Sequence, residues 1–124
     1  MSKFSTMDIE QFRTYCLAKK GVTEELPFDE VTLAFKVMGK IFAITGLDSD
    51  IFTVNLKCDP DYAEELRESY DAVQPGYHMN KKHWNTVDFS ADLDAKLLLQ
   101  LIDHSYELVV KGLRKKDRAI LDGL

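Results

Sequence analysis

The side chains best equipped for chemistry gather in one short stretch. Residues 75–86 read Pro75-Gly76-Tyr77-His78-Met79-Asn80-Lys81-Lys82-His83-Trp84-Asn85-Thr86, with two of the three histidines, the only tryptophan, adjacent lysines and no acid. Lys81 and Lys82 can neutralise phosphates, Tyr77, His78, Asn80 and His83 can hydrogen-bond or stack, and Trp84 offers a ring face. A plainer reading stands beside this one. Trp84 at the start of a strand is then a core or cover residue, and His78 and Asn80 satisfy backbone groups of a turn.

Other chemistries find weaker support. His78 and His83 are five residues apart, not the helical spacing that brings two imidazoles to one metal, and His104 can join them only through the fold. No metal or cofactor is therefore expected. Cys16 falls on an apolar helical face, where a cysteine usually packs. Cys58 precedes Asp59-Pro60, where a helix amino terminus can lower a thiol pKa, although core placement is the simpler expectation. No Gly-rich phosphate loop, Ser-His-Asp signature or nucleophile elbow is present, and Glu64 and Glu65 fit a solvated helix face. No catalytic residue is assigned, and the expectation is a protein that is not an enzyme.

Charge sets a further bound. Sixteen Lys and Arg against 21 Asp and Glu leave a net charge of -5, which disfavours indiscriminate attraction to a polyanion. The distribution is uneven: residues 1–80 carry 8 basic and 14 acidic side chains, residues 81–124 carry 8 and 7. Lys111, Arg114, Lys115, Lys116 and Arg118 are opposed only by Asp117 within their run. That run reads either as favourable charge at a helix carboxyl end or, if it folds beside Lys81 and Lys82, as part of a binding patch.

The elements that must position these groups follow from periodicity. With 124 residues, one domain over 1–124 is expected, large enough to bury a core without a disulfide. Ser5 with Asp8 resembles a capping box for a helix from about Thr6 to Lys19, its apolar face carrying Ile9, Phe12 and Cys16. Strands are expected at about Val31–Met38, Lys40–Leu47 and Ile51–Lys57, with Val31, Leu33, Phe35 and Val37 alternating with Thr32, Ala34 and Lys36. Asp59-Pro60 opens a second helix to about Tyr70. A short edge strand near Val73–Tyr77, a strand at Trp84–Phe89 and a long helix from Asp92 or Leu93 to Leu113 complete the chain. On that helix, the small Ser105 and Gly112 should permit close approach to the sheet. The expectation is a two-layer α+β domain, α-β-β-β-α-β-β-α, with a mostly antiparallel five-stranded sheet. Free thiols, and no apolar run of leader or membrane-span length, point to a cytoplasmic protein.

These residues also carry a family resemblance. Cys58-Asp59-Pro60-Asp61, Tyr62 to Arg67, the run Pro75 to Val87, and His104-Ser105-Tyr106-Glu107-Leu108-Val109 strongly resemble the MmcQ/YjbR family, over nearly the whole chain from Tyr15 to about Arg118. The resemblance implies a compact fold like the type III secretion chaperones and CyaY, and the DNA binding by which members are commonly described. The leading expectation is thus a non-catalytic DNA-binding or polyanion-binding protein using Tyr77, His78, Asn80, Lys81, Lys82, His83 and Trp84. The alternatives are a small-molecule or enzymatic cleft at the same loop, and a protein-interaction module. Monomer and dimer both stay open.

Overall fold

The computed structural model describes residues 7–76 and 79–124. Helix α1 (Ile9–Leu17) leads into strands β1 (Val22–Glu25), β2 (Thr32–Val37), β3 (Lys40–Gly46) and β4 (Thr53–Lys57). Helix α2 (Pro60–Ser69), strands β5 (Val73–Pro75) and β6 (Trp84–Asp88), and helices α3 (Ala95–Lys111) and α4 (Lys115–Asp122) follow. The described strands form one antiparallel sheet in the order β1-β2-β3-β4-β6-β5. No described helix is long and apolar enough to cross a membrane.

The α+β class and the two-layer arrangement are as expected, but the sheet has six strands rather than five. The additional strand, Val22-Thr23-Glu24-Glu25, pairs with β2 through Val22–Val37 and Glu25–Ala34. Its acids hid it from a hydrophobic pattern. Glu24 lies on the helix side, where Arg13 of α1 donates Nε to it at 2.8 Å and Nη2 in a second bond. Their proximity holds Glu24 below the usual carboxylate range.

Helix α1 begins one turn later than the Ser5–Asp8 pattern implied. Its capping box is Asp8–Gln11: Gln11 N donates to Asp8 Oδ1 at 2.8 Å, and Asp8 N to Gln11 Oε1 at 3.0 Å. Ser5 and Thr6 lie outside the described residues. Asp59 and Asp94 cap α2 and α3 by accepting from Tyr62 N and Lys96 N. The long final helix stops at Lys111 with Gly112 as its exposed C-cap, so Gly112 ends the helix instead of easing it onto the sheet. The basic run then forms α4, of which only Leu121 is buried.

Every helix docks on one side of the sheet. Phe12 is fully buried and meets Phe35, Phe52 and Phe89 edge-on, with centroids 5.2, 5.6 and 5.6 Å away. Ala63 and Leu66 from α2, and Leu98, Leu101 and Ile102 from α3, join the same core. The alternation in β2 is less clean than its sequence: Ala34 is also buried, outside the main core, while Val31 stays exposed.

Ser105 is where α3 grips the sheet. Its fully buried hydroxyl donates to Phe42 O at 2.5 Å and accepts from Lys57 N at 2.9 Å, joining β3 to β4 just past the last ladder pair, Ala43–Leu56. Removing it orphans a part-buried donor and a buried acceptor. Ser105→Ala should lower unfolding stability by about 2–6 kcal/mol, at roughly 1–3 for each group left unsatisfied. An unchanged urea midpoint would contradict that role.

Candidate nucleic-acid interface

Seven residues carry the sequence-derived interface, and five of them are described. Tyr77 and His78 lie outside the described residues. The other five occupy the loop joining β5 to β6 and the first position of β6.

The loop is held by its own backbone and by α2. Asn80 closes a tight turn, accepting from Lys82 N at its Oδ1 (2.9 Å) and from His83 N at its carbonyl (3.1 Å). His83 O accepts from Cys58 N at 2.8 Å, joining the loop to the end of β4. Arg67 reaches across from α2, and its Nη1 donates to Lys81 O at 3.0 Å and to Asn85 Oδ1 at 3.2 Å. Asn85 is buried on the helix side, with its amide near Ala63 O at 3.5 Å. The side chains of Lys81 and Lys82 are exposed, and His83 is half-buried.

Among the described residues, Trp84 is not part of the helix-side core. Register places it opposite Lys57, whereas its neighbour Asn85 pairs with Leu56 on the helix side. Side chains alternate along a strand, so Trp84 faces away from the helices. It is half-buried and takes no part in the core packing. Gly76 sits beside it, donating its N–H to Trp84 O at 2.9 Å. A β-carbon on Gly76 would meet Trp84 Cβ at 3.0 Å and its carbonyl oxygen at 3.1 Å, so only glycine fits this approach without displacement.

Ladder register sorts the charges by the two ends of the sheet. Val22 pairs with Val37, Val37 with Lys40, and Lys57 with Trp84, so these positions share one end. Lys40, Lys57, Lys81 and Lys82 therefore lie at or next to that end. A β-carbon on Gly21 would come within 2.6 Å of Leu121 Cδ1, so α4 rests on the start of β1 and brings Lys115, Lys116 and Arg118 to the same end. The opposite end holds Glu25, Asp29, Glu30, Asp48, Asp50, Asp71, Asp88, Asp92 and Asp94, carried by the strand ends and connections there. The sorting is incomplete: the connection from β4 to α2 puts Asp59 and Asp61 at the basic end, and Lys96 at the start of α3 lies at the acidic one. The basic run and the loop thus share an end but stand at opposite margins, with β2, β3 and β4 between them. They form a band rather than one compact patch.

Some charges within the band are already engaged. Lys19 contacts Asp103 at 2.5 Å and lies over the rings of Tyr15 and Tyr106, 4.8 and 5.2 Å from their centroids. Arg114 pairs with Asp117 at 3.4 Å, and Arg118 with Asp122 at 3.8 Å.

Neither the thiols nor the described histidines assemble a reactive centre. Burial pushes both Cys16 and Cys58 up to about 12, so the helix amino terminus does not activate Cys58. His104 Nε2 accepts from Asp59 N at 3.1 Å, and its ring meets Tyr62 edge-on at 5.3 Å. Among the described residues, no three His, Cys, Asp or Glu side chains group so as to hold a metal ion. The void bounded by Cys58, Asn85 and His104 is about 10 Å³, far below metabolite size. A larger cleft, about 390 Å³, opens near the acidic end between Met7, Leu47, Asp50 and Ser90.

Sequence reading missed Arg67 and Lys57. Arg67 follows an acidic helical run, and Lys57 reaches Trp84 only through strand pairing. The polar Asn85 at an inward position of β6 was the available signal for a partner such as Arg67.

The chain matches the YjbR family model over residues 17–108. It is 39% identical to YbdF of Escherichia coli O157:H7 over 106 residues, covering 80% of this chain and 87% of that protein. It is 33% identical to YjbR of Escherichia coli K12 over 115 residues, 93% of this chain and 98% of that one. The crystal structure of Deinococcus radiodurans protein DR2400 superposes with a TM-score of 0.88 at 37% identity, covering 94% of this chain and 89% of that one. A Pseudomonas syringae protein gives 0.70 at 28%, covering 82% and 98%.

Two measurements probe the local geometry. Arg67→Met should cost about 1–3 kcal/mol by orphaning Asn85 Oδ1, and should speed amide exchange at Lys82 and His83. Wild-type exchange rates in that variant would show that Arg67 does not hold the loop. Cys16 and Cys58, protonated well above neutral pH, should resist a thiol reagent at pH 8 until urea unfolds the chain; prompt modification of the folded protein would contradict their burial. The match spans most of the fold and the polar β5–β6 loop, and the chain belongs to the YjbR family.

Proposed function

We propose that this protein binds DNA, or a polyanion of similar charge density, along the basic end of its sheet and catalyses no reaction on it. The observation that carries this reading is the sorting of charge by ladder register. Lysines from the β5–β6 loop, β3 and β4 and the bases of α4 share an end with Asp59, Asp61 and Asp117, while nine carboxylates lie at the other. A net charge of -5 then weakens approach in general without preventing it at one pole.

Within that band, Lys81 and Lys82 neutralise phosphates and His83 adds a hydrogen-bonding ring. Asn80 holds the turn that sets their spacing. Tyr77 and His78 enter as expected neighbours in the same loop, and Trp84 supplies an aromatic surface next to the lysines. Backbone contacts of this type fix position without reading sequence, so the expected binding is weakly sequence-dependent.

Neutralising phosphates releases counterions, and each lost contact flattens the dependence of log K on log salt by about 0.7–0.9. The double variant Lys81→Ala/Lys82→Ala should therefore weaken binding at low salt and reduce the slope by up to about 2. Lys115→Ala/Lys116→Ala tests the far margin in the same assay. Failure of the unaltered protein to bind duplex or single-stranded DNA at low ionic strength would remove the proposal.

A further inference from the structure

We infer that the nucleic acid this protein takes is single-stranded, with an unpaired base stacked on Trp84 on the helix-free face of the sheet. The inference rests on the polyanion reading above and names its substrate class.

Trp84 is the chain's only tryptophan, and register turns it toward the face that no described helix covers. Lys57 stands directly opposite on that face, and the adjoining row holds Asn55, Thr86 and Gln74. The one described carboxylate in these two rows is Glu25, four strands from Thr86 at the far margin of the sheet. It and Asp88 on that face are engaged elsewhere: Asp88 accepts from Ser90 Oγ at 2.6 Å and Ser90 N at 2.9 Å, and Glu25 pairs with Lys36 at 3.1 Å. On the β5 flank stands Gly76, which has no side chain to cover the ring.

A duplex offers only base edges in its grooves, and its ring faces are stacked on one another. A broad aromatic surface on an open sheet has no complementary surface there. An unpaired base does present its ring face, and stacking on an aromatic side chain tolerates any base. Lys57 beside the ring and Lys82 in the adjoining loop then meet the phosphates on either side of the stacked nucleotide. The sheet face supplies the platform and the basic end supplies the charge.

Trp84 reports on its own contact. The full-length chain is titrated with eight-nucleotide oligothymidylate, eight-nucleotide oligouridylate and a blunt DNA hairpin, with tryptophan emission and labelled-oligonucleotide anisotropy both followed. Saturable quenching by either single strand, at least fivefold tighter than the hairpin, is expected. Trp84→Ala should weaken single-strand binding at least fivefold, and Trp84→Phe should retain most of it, with circular dichroism confirming that both variants are folded. If the hairpin binds as tightly as the single strands and the emission does not change, the inference fails and the polyanion reading stands. The same holds if a folded Trp84→Ala variant binds normally. If nothing binds at low salt, both fail.

Discussion

Confinement of the helices to one side of the sheet is the constraint from which the rest of the molecule follows. Phe12, Ala63 and Leu98 carry the apolar faces of α1, α2 and α3 into one core, and the Ser105 hydroxyl sets the approach of α3 by completing backbone bonds in both β3 and β4. Once that side is filled, strand alternation dictates everything on the other. Thr23, Lys36, Asn55, Lys57, Trp84 and Thr86 face outward because their sequence neighbours face the helices. The same parity draws Asn85 inward, where Arg67 and the Ala63 carbonyl meet its amide and couple the polar loop to α2. The surface that faces solvent is thus a by-product of how the core is packed.

Much of this architecture was legible in the chain. Asp59-Pro60 marked α2 to the residue, and the alternations of β2 and β6 and the spacing of Leu98, Leu101, Ile102 and Ser105 gave their elements directly. The failures share one cause: an ion pair or a single contact replaced a pattern. Val22-Thr23-Glu24-Glu25 shows no apolar alternation, because its inward position is an acid that Arg13 neutralises. Lys115–Asp122 reads as a charge run, because Leu121 alone anchors that helix, over Gly21. The composition of the loop singled out the candidate interface, but its neighbours came from register. Lys57 and Arg67 are distant in sequence and adjacent only after folding. Trp84 illustrates the limit best, since a large aromatic at a strand start favours the core on average, and one position of parity decides the matter.

A sheet left bare on one face has to limit pairing at its margins. Here the margins are short, four residues in β1 and three in β5, and Pro75 removes a backbone donor from the latter. Glu25 and Lys36 further charge the β1 side. No described helix covers the broad face, on which Ala34 and Ile44 are nonetheless buried, while little backbone is offered for extension by another chain.

The separation of acids from bases along the strand direction gives the molecule a permanent electric moment on top of its net charge. An object with such a moment experiences a torque in the field of any extended anion before contact, and rotates until its cationic pole leads. Monovalent salt damps that torque over roughly 8–10 Å at physiological strength, so the preorientation operates within the last molecular diameter of approach. A protein that repels anions on average can in this way still arrive facing them correctly.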